Sequence, residues 1–314
     1  MTICYLVLAH QGPAHLARLV DAVQTPSADV LIHLDRKTDM VAFAGLARPG
    51  VRFVAERHAV YWGDYSQVEA ILALMREALA SKRGYTRQVL LSGSDYPLRS
   101  SAHIERFFAE RCDAEFINLV EMPCDKLGKP LSRIDKFWPR RSRPWSRIET
   151  KLRRAAVRFG LMSIERDHRP HLQQLKPFGG STWWALTRGA CEYVLDFMAR
   201  EPAFVRFYAN TVYPDELMMH TIIGNSPFRQ AVRHNLTYTD WRKGGSNPAT
   251  LEAMHVREFA SVPKVMADDG YGQGELLFAR KFSGETGELV AQLDAMREAK
   301  DQAGVQPAEA LPGG

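Results

Sequence analysis

Three carboxylates in this sequence stand where side chains could do chemistry. Asp35 ends the segment ADVLIHLD, and Asp95 follows the apolar run LLSGS, so each lies just beyond a predicted strand. Glu216, in YPDEL, falls in the first turn of a helix predicted to begin at Pro214, where the helix macrodipole would keep a carboxylate ionised. A general base acting on a neutral hydroxyl requires that ionised form. Each acid could equally be a cap or turn residue, because such positions favour acidic side chains.

Two adjacent cations, Arg280 and Lys281, interrupt the apolar segment LLFARKF. Unpaired charge is costly to bury, so cations in such a segment should meet an anion. A diphosphate would suit them, because positioned cations stabilise the negative charge that develops on a phosphate leaving group. The predicted strand ends carry no D-x-D motif, since SGSD supplies one carboxylate only. This pattern favours chemistry without a metal ion.

Strands and helices alternate along the chain, which predicts an α/β fold with a mostly parallel central sheet flanked by helices. A helix follows the first strand from Pro13, and Ser66 with Glu69 has the form of a capping box that would open another. The predicted strands are 3–10, 28–35, 51–56, 87–93 and 114–122.

The carboxyl ends of parallel strands collect ligands at one edge of the sheet. This rule places Ala9, His10 and Arg57 on the same rim as Asp35 and Asp95. The first strand is followed by HQGPAH and not by GxGxxG, so a dinucleotide-binding domain is not predicted.

The formal net charge of +5 comes from one segment. Residues 126–169 hold 14 Lys or Arg and four acids, a net charge of +10. The simplest interpretation is that these charged side chains form a surface that faces water. The segment could instead contact an anionic membrane surface or an acidic polysaccharide, since 148–162 could form a basic amphipathic helix. Nucleic acid is a weaker alternative, because no known nucleic-acid-binding module is present.

The sequence shows no stretch of about 18 apolar residues and no signal-peptide pattern before the first strand. The four cysteines form neither a CxxC motif nor a Cys/His cluster, so a disulfide framework and a zinc site are not predicted. We therefore expect a cytoplasmic protein whose basic segment could reach the inner face of a membrane.

Eight segments together resemble the core-2/I-branching β-1,6-N-acetylglucosaminyltransferase family, which includes the peptide O-xylosyltransferases. They follow the family order over most of the chain, to residue 282. The resemblance implies a GT-A type fold and inverting transfer of a sugar from a UDP-sugar without a metal ion, as in bacterial members that lack a membrane anchor. The segments are YLVLAH, IHLDRKTD, RHAVYWGDYSQVEA, LLSGSDYPL, FGGSTWWALTR, PDELMMHTIIGNSPF, TDWRKGGSNP and LFARKF.

On the donor side, the resemblance implies a uridine pocket. Ala9, His10 and Asp35 are similar to the residues that form it, with Arg57 and the Trp62–Gly63 turn beside them. No cofactor is implied, because the UDP-sugar is a substrate.

At the reacting centre, Glu216 resembles the base that deprotonates the acceptor hydroxyl. Arg280 and Lys281 resemble the clamp on the diphosphate, and Trp241 would line the sugar site. Asp95 stands where metal-using relatives of the fold hold D-x-D. We expect it to position the donor sugar or to brace its own loop by accepting backbone N–H bonds.

The GGS-x-W motif adds Thr182 and Trp183 as candidate substrate-binding residues. In the xylosyltransferase branch an Asp stands at the position of Thr182. If that Asp is the base for xylosyl transfer, this chain must use Glu216 instead. N-acetylglucosamine is therefore favoured as the donor sugar, with xylose as the alternative.

The acceptor is expected to be a glycan, a lipid-linked sugar or a protein. The alternative function is a non-catalytic glycan-binding protein on the same fold, which would need neither Glu216 nor the paired cations. The predicted division of the chain is a nucleotide-sugar-binding half at 1–122, a basic insert at 123–177, a catalytic and acceptor half at 178–300 and a disordered tail at 301–314.

Overall fold

The computed structural model of the chain describes residues 1–142, 145–245, 247–283 and 287–305. Within these residues the chain forms fourteen β-strands and ten α-helices. The strands are β1 (Ile3–Ala9), β2 (Ala28–Leu34), β3 (Val51–Phe53), β4 (Arg87–Ser92), β5 (Asp95–Pro97), β6 (Glu115–Ile117), β7 (Val120–Glu121), β8 (Phe178–Gly179), β9 (Trp184–Thr187), β10 (Val232–Arg233), β11 (Thr237–Thr239), β12 (Met266–Asp269), β13 (Gly272–Glu275) and β14 (Phe278–Arg280). The helices are α1 (Pro13–Val23), α2 (Ser66–Ala80), α3 (Ser101–Glu110), α4 (Ser146–Arg158), α5 (Arg169–Leu172), α6 (Arg188–Arg200), α7 (Pro202–Tyr208), α8 (Met218–Gly224), α9 (Ala253–Ala260) and α10 (Gly287–Val305).

Strand β1 lies inside a seven-stranded sheet of order β10-β6-β9-β4-β1-β2-β3. It pairs in parallel with β2 along its whole length, from Ile3 opposite Ala28 to Ala9 opposite Leu34. On its other side it pairs in parallel with β4, so that Leu8 lies opposite Ser92. The carboxyl ends of β1, β2 and β4 therefore meet at one edge of the sheet.

Alternate residues of β1 enter different hydrophobic cores, as the two-residue period of a strand requires. Tyr5 and Val7 join the core beneath α1, α3, α9 and α10. Cys4 and Leu6 join the core beneath α2, α6, α7 and α8. Helices thus cover both faces of the sheet, which explains why β1 is an almost unbroken apolar run.

The second half of the chain completes the same sheet. Strand β9 lies between β4 and β6 and is antiparallel to both, and β10 pairs in parallel with β6. The predicted halves 1–122 and 178–300 thus share one sheet. This mostly parallel sheet flanked by helices confirms the predicted α/β class and GT-A type arrangement.

Two local predictions at element boundaries are wrong. Tyr65 occupies the N-cap position of helix α2, and its side chain makes no capping hydrogen bond. Ser66 and Glu69 therefore do not form a capping box. The segment predicted as one strand at 114–122 divides into β6 and β7, because β7 leaves the central sheet to pair with β8.

Two predicted ends also differ from the structure. The helix predicted to begin at Pro214 is a 3-10 turn over Pro214–Glu216, and regular helix starts at Met218. Helix α10 continues to Val305 and occupies the start of the predicted disordered tail. Residues 306–314 of that tail lie outside the described residues.

The Gly179–Gly180 turn brings β8 close to the element that carries Glu216. Gly180 donates its backbone N–H to the Glu216 carbonyl oxygen at 3.0 Å. A Cβ at Gly180 would lie 1.7 Å from the Asn118 carbonyl oxygen and 2.6 Å from His220 Cδ2. No side chain fits there, so the backbone of the turn can approach Glu216 only because this residue is a glycine.

Gly180→Ala should destabilise the fold by about 3 kcal/mol, because backbone atoms must move to admit the methyl group. Gly45→Ala is the matched control, since no heavy atom lies within 4 Å of its added Cβ. That variant should change the free energy of unfolding by less than about 0.5 kcal/mol. Urea unfolding of both variants measures the difference, and equal stabilities would show that the turn is not as tight as described.

Candidate active site

The ends of β1 and β2 form the first part of the site. The Asp35 backbone N–H donates to the Ala9 carbonyl oxygen at 2.8 Å, which joins the two strand ends. The Asp35 carboxylate accepts a hydrogen bond from the Lys37 backbone N–H at 2.8 Å and one from Lys37 Nζ at 2.7 Å. Burial lowers the pKa of His10, and the charges of Asp35, Lys37 and Lys281 act on the same ring. The predicted uridine-side residues and Lys281 therefore lie together.

Arg57 binds backbone carbonyl oxygens at the end of β2 and in the loop that follows it. Its Nε donates to the Leu34 carbonyl oxygen at 2.9 Å. Its Nη2 donates to the carbonyl oxygens of Asp35 at 2.8 Å and Thr38 at 2.7 Å. The guanidinium is thus engaged with the loop after β2, so Arg57 acts on the predicted pocket by shaping this loop.

Asp95 is fully buried and closes its own loop. Its carboxylate accepts a hydrogen bond from the Ser92 backbone N–H at 2.9 Å and another from the Ser92 hydroxyl. Burial raises the pKa of Asp95, whereas Arg280 and Ser92 act in the opposite direction. Of the two roles expected for Asp95, these contacts correspond to the second, in which the carboxylate braces its own loop by accepting a backbone N–H bond.

Arg280 is placed by strand pairing and by two side chains. In the three-stranded sheet of order β11-β14-β5, Arg280 lies opposite Asp95. Its Nε forms an ion pair with Asp95 Oδ1 at 3.2 Å, and its guanidinium carbon lies 4.2 Å from the centre of the Trp183 ring. This cation is therefore fixed at the same edge as the ends of β1 and β4.

Glu216 is held between two cations that the sequence reasoning did not single out. Lys129 Nζ donates to Glu216 Oε2 at 2.5 Å, and Arg133 Nη1 donates to the same oxygen at 2.7 Å. Burial alone would raise the pKa of Glu216, but the charges and hydrogen bonds of Lys129 and Arg133 leave it lowered. Ionisation was predicted from a helix macrodipole, and the structure supplies a different cause, since Glu216 ends a single 3-10 turn.

The pKa of Asp215, the neighbour of Glu216, is shifted in the opposite direction. Its Oδ2 accepts hydrogen bonds from the Thr182 hydroxyl at 2.6 Å and from Gln67 Nε2 at 2.9 Å. Its Oδ1 is buried and has no hydrogen-bond partner among the described residues. Burial and the charge of Glu216 raise the pKa of Asp215 to about 6. Thr182 therefore contacts the acid next to the candidate base.

The Trp62–Gly63 turn packs against the turn that carries Glu216. The rings of Trp62 and Tyr213 meet edge to face with centroids 4.9 Å apart, and the Tyr213 backbone N–H donates to the Gly63 carbonyl oxygen at 3.2 Å. Gly63 has φ +71°, and an added Cβ would lie 3.0 Å from the Tyr213 ring. This turn therefore borders the Glu216 side of the site as well as the loop after β2.

Trp241 lies on the loop after β11, where Thr239 is opposite Arg280. Its ring is about half exposed, and its Nε1 donates to the Thr239 hydroxyl at 3.1 Å. The hairpin of β12 and β13 carries Tyr271 at its tip. Burial, followed by the charge of Glu216, raises the pKa of Tyr271. Sequence reasoning missed Tyr271 because the hairpin carries no family motif.

Several cations of the basic segment 126–169 are parts of the fold. Besides the two on Glu216, Arg140 donates to Glu69 at 2.6 Å, and Arg166 Nε donates to the Ile134 carbonyl oxygen at 2.9 Å. In the same region, His168 Nδ1 lies 2.6 Å from Asp135 Oδ1. For these cations the solvated-face interpretation is wrong, because each has a defined partner.

Across the part of the chain that the structure describes, no group of three or more His, Cys, Asp or Glu side chains could hold a metal ion. The helices in that same part are all too short or too polar to span a bilayer.

Asp215→Asn tests the electrostatics of the pair. An unfolded aspartate has a pKa of about 4, whereas folded Asp215 has a pKa of about 6. The group therefore contributes stability that is fully present below pH about 4 and is lost as the pH rises through about 6. Asparagine cannot ionise, so the stability of the variant relative to wild type should rise by roughly 2 kcal/mol between pH 4 and pH 7.

Urea unfolding at a series of pH values measures this difference, with the exposed Asp113→Asn as control. Stability curves of the Asp215 variant that stay parallel to those of wild type would contradict the assignment.

The sequence of this chain is similar to those of proteins named as xylosyltransferases. Xylosyltransferase 2 of Rattus norvegicus is 27% identical over 252 residues, which cover 77% of this chain and 27% of that protein. Xylosyltransferase oxt of Drosophila pseudoobscura pseudoobscura is 24% identical over 283 residues, covering 84% of this chain and 29% of that protein. The chain therefore spans less than a third of the length of these relatives.

Among solved structures, apo mouse xyloside xylosyltransferase 1 is similar at 10% identity, over 88% of this chain and 97% of that one, with a TM-score of 0.38. The model of the Core-2/I-Branching enzyme family matches residues 3–262. The match covers more than half of the sequence and includes β1, the Asp95 loop and Glu216. The chain belongs to the Core-2/I-Branching enzyme family of glycosyltransferases.

Proposed function

We propose that this protein is an inverting, metal-independent glycosyltransferase that moves a sugar from a UDP-sugar to a hydroxyl of its acceptor. One observation carries the proposal: an ionised Glu216 carboxylate lies between Lys129 and Arg133, and its own backbone oxygen accepts from Gly180 of the GGS-x-W turn. A general base must be ionised before it can accept a proton, and the lowered pKa of Glu216 supplies that state near neutral pH.

In the proposed step the acceptor hydroxyl oxygen attacks the anomeric carbon of the donor, and Glu216 takes its proton. Both cations donate to Oε2 of Glu216, which leaves Oε1 for the hydroxyl. The bond from the anomeric carbon to the diphosphate oxygen breaks with its electron pair, and UDP leaves. A single displacement of this kind inverts the configuration at that carbon.

Arg280 and Lys281 are the proposed partners of the diphosphate. The ion pair with Asp95 is formed through Nε of Arg280, and in this proposal its terminal N–H groups contact the phosphate oxygens. Fixed cations stabilise the charge of a leaving diphosphate without having to reorganise during the reaction. Asp95, already engaged by Ser92 and Arg280, serves in this proposal to orient the clamp, which supports chemistry without a metal ion.

We propose N-acetylglucosamine as the donor sugar because Thr182 replaces the acid expected in the xylosyltransferase branch. Xylose is the second candidate, supported by the names of the relatives. Ala9, His10 and Asp35 are proposed for the uridine, and Trp183 and Trp241 for the sugar. The acceptor is proposed to be a glycan, a lipid-linked sugar or a protein.

A non-catalytic glycan-binding protein is the competing function. The arrangement of Glu216 with Arg280 and Lys281 favours an enzyme, because a lectin needs neither a base nor a diphosphate clamp. A screen of UDP-sugars by thermal shift and mass spectrometry separates the two and identifies the donor. Absence of any UDP-dependent stabilisation would favour the glycan-binding protein.

Glu216→Gln should lower the rate of transfer, or of donor hydrolysis, by about 1,000-fold while UDP binding is kept, because the amide cannot accept the proton. Glu110→Gln, an exposed acid paired with Arg111, is the control and should keep full activity. Activity of wild type should survive EDTA. Full activity in Glu216→Gln, or a requirement for added Mn²⁺, would contradict this mechanism.

Arg280→Ala combined with Lys281→Ala should weaken UDP binding roughly 100-fold, because charge-assisted hydrogen bonds to the diphosphate are lost. Arg169→Ala removes an exposed cation that pairs with Asp167 and should leave affinity unchanged. Calorimetry with UDP measures both. Unchanged affinity in the double variant would exclude these residues as the clamp.

A further inference from the structure

Helix α4 presents an exposed apolar stripe. Ile148, Leu152 and Phe159 are 51%, 66% and 75% exposed, and Trp145, just before the helix, is 74% exposed. At about 100° per residue, these four positions fall within an arc of roughly 60° on one side of the helix. Leu161, directly after the helix, is 80% exposed. Large apolar side chains thus form a continuous exposed patch, which is unusual on a protein surface that faces only water.

The opposite side of the helix attaches it to the protein. Arg153 pairs with Glu149 at 3.1 Å, and its guanidinium carbon lies 3.8 Å from the centre of the Phe137 ring. The half-buried Val157 lies on this side as well. The apolar stripe therefore faces away from the fold.

A cationic stripe borders the apolar one. Residues 145–162 hold five Lys or Arg and one acid, Glu149, a net charge of +4. Lys151 and Arg158 are exposed, and both positions fall on the same side of the helix, next to the stripe. Adjacent apolar and cationic stripes on one exposed face are the pattern of a helix that lies in the interface of an anionic bilayer.

The segment that carries α4, residues 136–165, is anchored next to Arg133, which contacts Glu216. Arg166 donates to the Ile134 carbonyl oxygen, and His168 pairs with Asp135. The two ends of this segment therefore meet just after Arg133. A surface that held α4 would therefore hold a segment that is anchored next to Arg133, a partner of Glu216.

We propose that α4, with Trp145 and Leu161, is a docking surface for an anionic lipid bilayer. The apolar stripe enters the acyl-chain boundary, while Lys151 and Arg158 contact the head groups. Charge decides between this occupant and a second copy of the chain, because two copies docked through this face would bring their cations together. The remainder of the chain has a net charge of −5 outside residues 126–169, so the bilayer should attract this side selectively.

Flotation of the full chain with vesicles tests the proposal. We expect the protein to float with phosphatidylcholine vesicles that contain phosphatidylglycerol, to stay unbound with phosphatidylcholine alone, and to release as salt screens the charges. Leu152→Ser with Phe159→Ser, and separately Lys151→Glu with Arg158→Glu, should each weaken binding by about tenfold or more. All four side chains are exposed, so the variants should keep the wild-type fold.

Control variants make single changes of the same kind at exposed positions elsewhere. Val41→Ser alters a side chain that is 79% exposed, and Lys82→Glu reverses an exposed charge, and both should bind vesicles as wild type does. Lipids brominated in their acyl chains should quench part of the wild-type tryptophan fluorescence, and that part should be absent in Trp145→Phe.

Three results would overturn the proposal. They are wild type that stays unbound to anionic vesicles at low salt, helix variants that float as wild type does, and a dimer in sedimentation velocity that Leu152→Ser with Phe159→Ser abolishes. The last would assign the face to a second copy. Since vesicle binding is measured without a sugar substrate, its failure would leave the proposed glycosyl transfer untouched.

Discussion

The pairing of buried carboxylates with cations from distant segments is the constraint on which the site depends. Uncompensated charge cannot remain at a half-buried sheet edge, so each acid there needs a partner. Glu216 is matched by Lys129 and Arg133, and Asp95 by Arg280. These ion pairs join the basic segment to the turn that carries Glu216, the proposed base, and join strand β14 to the loop after β4.

Adjacent acids in the P-D-E turn have different environments, and their pKa values are therefore shifted in opposite directions. Asp215 is buried with one unpartnered oxygen, and burial raises its pKa, whereas two cations keep the pKa of Glu216 low. The charge of Glu216 also raises the pKa of Asp215, because two negative charges are costly at close range. Glu216 remains the proposed base because its side chain is partly exposed, whereas Asp215 is buried.

The basic segment performs two separate tasks. Its inner cations, Lys129, Arg133 and Arg140, neutralise carboxylates of the fold. Its outer part, helix α4, has Lys151, Arg158 and a row of large apolar side chains exposed. Net charge alone could not distinguish these tasks, since both contribute the same sign to the sequence.

The sequence by itself determined the α/β class, the central strands and the rim of candidate residues, because hydrophobic runs and strand ends are local features. The unbroken run of β1 and the family motifs around Asp35, Asp95 and Glu216 were sufficient for that. The tertiary structure decided the partners: Lys129 and Arg133 lie 87 and 83 positions from Glu216 in the sequence, and no local pattern joins them. It also replaced the predicted helix at Pro214 with a 3-10 turn and the predicted macrodipole with ion pairs, because the charge on Glu216 is set by contacts across the fold.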